Sequence, residues 1–186
     1  SRGLVLSFFG KSSHASQPEN GHNPARAISK LIIDIPELTA REDHRGIVMA
    51  TVVCVRIGEE AFGTNAGFGQ LMLTIRAEFE SELDALDAEI CARARAYARQ
   101  DGITNVEVQY RDSFPETRNT PDAVAAVRKA RLECGLPEAR WDEPFRSSED
   151  FGCYTKLTSG ALFYIGCGTR HAKLHTREYD FNDEII

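Results

Sequence analysis

Six segments, each with its own apolar period, follow one another between Leu4 and Tyr110, and their order limits the folds open to this chain. Leu4 to Phe9 is a β-rich run stopped by Gly10. Asn23-Pro24 opens a helix, with Asn as N-cap and Pro at the first helical position. Ala27, Ile28, Leu31, Ile32, Ile35 and Leu38 then recur at helical spacing. Pro36 has no N–H to donate and is expected to kink or end that helix. Ile47 to Ile57 is β-branched and nearly continuous, which reads as a strand covered on both faces or one carrying an interface. From Gln70 to Phe79 the residues alternate, with Leu71, Leu73, Ile75, Ala77 and Phe79 on one face and Met72, Thr74, Arg76 and Glu78 on the other. Ser81 is expected to cap a second helix whose buried stripe is Leu83, Leu86, Ile90, Ala94 and Tyr97. Asn105 to Tyr110 alternates again, with Val106, Val108 and Tyr110 inward.

The order is β-α-β-β-α-β, which predicts an α+β fold of the ferredoxin-like split βαβ type, a sheet with two helices on one face. The helix-free face or an edge strand is then open to another surface. Residues 1–112 make this first unit. Residues 113–186 differ: Thr120-Pro121 caps a helix through Val124, Val127 and Leu132 that stops near Gly135, and Ala161 to Ile165 reads as one apolar strand. One helix, one strand and loops cannot make an independent core. This part is expected to be half of an incomplete α/β domain.

At 186 residues and 42% apolar content, the chain has material for a substantial core and is not disordered. No apolar run approaches the ~18 residues of a membrane span. The net charge of -6 argues against nucleic acid as a partner, since phosphate binding needs clustered Lys and Arg. Five scattered cysteines without a CxxC pattern read as reduced thiols, mostly small core residues, of a cytoplasmic protein. Cys153, Cys167, His171 and His175 could make a tetrahedral zinc site, but the spacing of the cysteines is too long for a zinc finger.

Three places hold candidate chemistry. His14 lies among small residues in Gly10-Lys11-Ser12-Ser13-His14-Ala15-Ser16, which leaves an imidazole accessible as a donor to substrate. His175, ahead of Thr176-Arg177-Glu178, offers a metal ligand. Glu149-Asp150, between Ser147-Ser148 and Phe151-Gly152, is placed either to cap a short helix or to border a pocket.

Three motifs carry a resemblance to a known family: Gly10-Lys11-Ser12-Ser13-His14-Ala15 followed by Pro18 and Asn23-Pro24; Ser148-Glu149-Asp150-Phe151; and Leu174-His175 followed by Tyr179-Asp180-Phe181-Asn182-Asp183-Glu184. In order and separation they resemble the M20 family of metallopeptidases and amidohydrolases, nearest the N-acyl-amino-acid and indole-acetyl-amino-acid hydrolases. The resemblance implies a two-domain enzyme with two divalent metal ions, usually zinc, and an inserted ferredoxin-like lid through which it forms a homodimer. Small N-acyl amino acids or peptides are the substrates it implies. It makes His175 a metal ligand and His14 the lid histidine that steadies the scissile carbonyl oxygen across the dimer. Asn65 and Arg76 become substrate-holding lid residues, and Glu149 and Asp150 border the metal pocket. After Asn65 the family's apolar-Pro-acidic run is replaced by Ala66-Gly67-Phe68-Gly69, which reads as a flexible loop. The family's N-terminal half, source of its other metal ligands and general base, has no counterpart here. The chain alone is therefore expected to bind no metal stably and to be inactive, a fragment of the enzyme. The alternative is a stand-alone, non-catalytic dimerisation or ligand-binding module.

Overall fold

The computed structural model describes residues 1–139, 141, 143–166, 168 and 171–183. Cys167 and Glu184, named above, lie outside the described residues. Strands β1 (Arg2–Phe9), β3 (Val48–Ile57), β5 (Phe68–Ala77) and β6 (Asn105–Arg111) form one antiparallel sheet in the order β3-β5-β1-β6. Helices α1 (Ala25–Thr39) and α2 (Glu80–Gln100) connect them and cover one face, the expected ferredoxin-like arrangement. Two short strands, β2 (Ser13–His14) and β4 (Thr64–Asn65), pair with each other beside the main sheet.

The two central strands set the core. Leu4, Leu6 and Phe8 of β1 alternate inward, and so do Leu71, Leu73 and Ile75 of β5, with Leu4 opposite Leu73. From above, Ala27, Ile28, Leu31, Ile35 and Leu38 of α1 and Leu83, Leu86, Ile90, Ala94 and Ala98 of α2 close over them. The buried cluster ends at Ile103; none of the described residues beyond it belongs to it.

Several local expectations are corrected. Of the two outcomes expected at Pro36, a kink or an end, the end falls, since α1 continues to Thr39. Pro36 sits in the last turn, where only one helical bond is lost, and the Thr39 hydroxyl donates to the carbonyls of Ile35 and Pro36. Ser81 is not the cap of α2. The helix starts at Glu80, whose N–H is held at 2.9 Å by the carboxylate of Glu116, reaching in from the C-terminal part. Tyr110 is half exposed at the sheet rim, under the Arg2 guanidinium, not inward. β3 is an edge strand, so of the two readings for residues 47–57 the covered one falls. Val53, at a bulge, and Val55 remain exposed. Of the four described cysteines only Cys91 is buried.

The C-terminal part holds α3 (Pro121–Glu133) and the single turn α4 (Gly152–Thr155). Residues 161–165 form no strand. A strand needs a ladder partner, and among the described residues the side-chain amide of Asn119 takes that place, bonding the N–H and C=O of Leu162. Leu132, Trp141, Phe145, Phe163, Tyr164 and Ile165 stay exposed. This part meets the sheet unit through Glu116 at α2, a Lys156–Glu80 ion pair and Arg76.

His44 pins the loop after α1 to the first turn of α2. Its Nε2 donates to the Leu38 carbonyl at 2.7 Å and its Nδ1 lies 3.0 Å from Glu82. The Leu38 carbonyl first, then the Glu82 carboxylate, hold the charged ring and raise its pKa above the ordinary 6.5. A group with a raised folded pKa contributes stability that is complete below the unfolded value and is lost as pH rises through the folded one. The destabilisation caused by His44→Ala is therefore expected to be largest below pH 6.5 and to shrink on the alkaline side. Urea titrations of both proteins on either side of that value check it; a penalty that grows with pH contradicts it.

Candidate functional site

A folded-back turn between β1 and α1 carries His14. After Phe9 the chain is clamped by Gly10 N–H donating to the Gly67 carbonyl at 2.7 Å and by reciprocal bonds between Lys11 and His22. β2 then pairs with β4, His14 opposite Thr64. Two glycines make this approach possible. A Cβ at Gly10 would stand 1.9 Å from the His22 carbonyl oxygen, and one at Gly67 would stand 2.3 Å from the Ser12 nitrogen. Residues 66–69 are thus a packed crossing, with Phe68 and Gly69 already in β5, and not the flexible loop expected from their glycines. Gly10→Ala is expected to displace the His14 turn and cost about 1–3 kcal/mol. A urea-midpoint comparison checks this, and an unchanged midpoint contradicts it.

His14 is exposed, and among the described residues both polar contacts of its ring are to Ser16: the backbone N–H donates to Nδ1 at 3.1 Å and Oγ lies 2.7 Å from the same nitrogen. Nε2 has no hydrogen-bond partner among the described residues.

Asn65 is committed within the turn. Its Nδ2 donates to Ser13 Oγ at 3.0 Å and to the Pro18 carbonyl at 3.4 Å, and its Oδ1 accepts from Asn23 Nδ2 at 2.8 Å. Asn23 Oδ1 in turn accepts the Ala25 N–H at 2.8 Å. An amide N–H can only donate, so this last bond fixes the orientation of Asn23, and through it that of Asn65. The N-cap read from sequence is therefore also a strut between α1 and the His14 turn. Nothing in the spacing of Asn23 and Asn65 announced that pairing; Gly10, Asn23 and Ser16 were missed as parts of the site.

Arg76 leaves the helix-free face of β5 and donates to the Arg146 carbonyl at 3.0 Å and to Ser148 Oγ at 2.9 Å. It thus meets the loop that leads to Glu149 and Asp150, both exposed and just ahead of α4. His175 is exposed with φ of 63°, a left-handed conformation uncommon for a residue with a Cβ. The structure brings Arg76 and the Ser148-Glu149-Asp150 segment together and holds His14 beside Asn65. Among the described residues no three His, Cys, Asp or Glu side chains cluster as a metal site, so these residues by themselves do not fit the two implied metal ions. The thiol of Cys91, pushed up to about 12 by burial and by Asp87, is no nucleophile. Two open cavities of about 190 Å³, one beside His44 and one beside Arg95, are lined by none of the candidate residues.

Residues 1–102, more than half of the chain, match the peptidase dimerisation domain of the M20 group. The chain belongs to the M20 peptidase family. Curated relatives of this M20 chain include a hydrolase of Staphylococcus haemolyticus, 26% identical over 96% of the chain and 48% of that protein. An N-acetyldiaminopimelate deacetylase of Bacillus licheniformis is 26% identical over 94% of the chain and 48% of its own length. A hippurate hydrolase of Campylobacter jejuni is 22% identical over 97% of the chain and 47% of its length. The chain thus spans about half the length of these relatives. Among solved structures, a protein assigned as an aminohydrolase from methicillin-resistant Staphylococcus aureus superposes with a TM-score of 0.80 at 20% identity, over 98% of this chain and 48% of that one. An aminopeptidase of Bacillus cereus superposes with a TM-score of 0.67 at 16% identity, over 83% and 40%. At these identities the structural likeness is one of fold. No helix among the described residues is long and apolar enough to cross a membrane.

Proposed function

We propose that this M20 chain is the lid-bearing part of a metal-dependent hydrolase that cleaves the amide bond of N-acyl amino acids or small peptides. Residues 1–112 are the lid and dimerisation unit, and residues 113–186 belong to the catalytic domain. The observation that carries the reading is the presentation of His14: an exposed ring on a turn built by Gly10 and Gly67, with one nitrogen fixed and the other free. Such a ring can donate to a carbonyl oxygen as charge develops on it. Relatives named as a deacetylase of an N-acetyl compound and as a hippurate hydrolase support the substrate class.

Arg76 supplies a cation and Glu149 and Asp150 supply carboxylates at the border of the pocket. The commitment of the Asn65 amide to Ser13, Pro18 and Asn23 makes it a positioning residue for the His14 turn. His175 is one metal ligand, and a catalytic zinc takes about three protein ligands. The remainder of the centre is assigned to residues this sequence does not contain, and the exposed apolar side chains around Trp141 and Phe163 are the surface such residues would cover.

The purified chain with added zinc is expected to release no amino acid from N-acetyl or N-benzoyl amino acids, while the complete protein is expected to release it. Zinc-dependent turnover by the chain alone would overturn the divided site. A complete protein that dimerises but hydrolyses none of these amides would overturn the enzyme and leave a binding module.

A further inference from the structure

We infer that Ser16 is a positioning residue that fixes the tautomer of His14, so that the ring presents an N–H and not a lone pair at Nε2. The backbone N–H of Ser16 donates to Nδ1 at 3.1 Å, and its Oγ lies 2.7 Å from the same atom. The hydroxyl can turn to accept or donate and does not decide the matter. The amide can only donate. A proton on Nδ1 would meet the Ser16 hydrogen head-on, so the single proton of the neutral ring resides on Nε2.

The neighbouring bonds hold that amide in place. Ala15 N–H donates to the Gly63 carbonyl at 2.9 Å, and Gln17 N–H donates to the His14 carbonyl at 2.9 Å. With the N–H groups before and after it anchored, Ser16 N–H is directed at Nδ1 by the turn itself. The use of the His14 tautomer in catalysis rests on the hydrolase reading: a developing oxyanion needs a donor, and a lone pair at Nε2 would repel it. The tautomer itself does not depend on that reading.

Long-range proton–nitrogen correlation spectra of the histidine-labelled chain, at a pH where the rings are neutral, read each tautomer directly. The expected result is His14 with a protonated Nε2 in clearly greater proportion than in free histidine. Ser16→Ala keeps the backbone N–H and is expected to keep the tautomer. Ser16→Pro removes the N–H and is expected to return His14 toward the free-histidine mixture, with the His44 resonances unchanged as the sign of an intact fold. Should the Ser16→Pro protein not fold, the comparison of the unaltered chain with free histidine still decides. A His14 ring no different from free histidine, or protonated mainly on Nδ1, would overturn the inference. In the complete enzyme, Ser16→Pro is expected to lower kcat at unchanged KM in proportion to the share of rings that give up the Nε2 proton, far less than the loss expected for removing the ring itself. A kcat that does not follow the tautomer fraction would leave Ser16 as assigned and remove His14 from the reaction instead.

Discussion

In the complete enzyme, His14→Ala is expected to lower turnover by about 10²–10³ while the protein folds and binds its metal as before. The reasoning starts from what the side chain touches. His14 is exposed, is not part of the buried cluster and, among the described residues, hydrogen-bonds through its ring only with Ser16. Its removal should therefore change the urea midpoint by no more than a surface substitution does, about 0.5 kcal/mol. On the hydrolase reading, what it removes is one donor to the substrate carbonyl. If His14 acts across the dimer, a mixing test follows. His14→Ala subunits combined with subunits that carry His14 but lack a metal ligand should recover part of the activity. One of the two hybrid sites then has an intact metal centre and receives a normal His14 from its neighbour. No recovery in verified heterodimers would confine His14 to its own subunit or exclude it. Near-normal turnover for His14→Ala, with only a small loss of stability, would reduce it to a residue that tidies the end of β2.

The parts of the fold that were legible in the sequence are those decided by periodicity. The alternation in β5 and the helical stripe of α1 each specify a buried face without help from distant residues, and the structure buries those faces. The misread positions were decided by contacts far along the chain. Ser81 has the right chemistry for a cap, yet the Glu116 carboxylate, 36 residues away, takes the α2 N-terminus. Ala161 to Ile165 has strand composition, but composition cannot supply a ladder partner. The site divides in the same way. His14 stood out because small residues surround it in the sequence. Its support did not, because the contact of Gly10 with Gly67 and that of Asn23 with Asn65 depend on tertiary approach. Glycine at position 67 read as freedom, whereas the structure uses it as the absence of a Cβ where two backbones cross.

The dimer predicted by the family assignment is expected to form through β3, and substitutions there should raise its dissociation constant by about 10²–10³. The sheet has two free edges, β3 and β6, and they differ in chemistry. β6 carries Glu107, Gln109 and Arg111 on its exposed face, the polar dress by which a sheet edge avoids pairing. β3 carries Val53, 59% exposed, and Val55, 41% exposed. α1 packs over that same edge, and its outer face carries Ile33, 75% exposed. An edge-to-edge pairing about a two-fold axis would cover these side chains and bring the two α1 helices alongside each other. Because every substitution is present twice in a symmetric dimer, Val53→Lys together with Ile33→Lys places four like charges in an apolar seam. Each of these residues is exposed in the single chain, so the monomer fold should persist with an unchanged circular dichroism spectrum. Gln109→Lys on β6 is the control and should leave the dimer intact. Analytical ultracentrifugation of the three proteins separates the outcomes. A dimer that survives Val53→Lys with Ile33→Lys but dissociates with Gln109→Lys would move the interface to β6, and one that survives both would move it off the sheet edges.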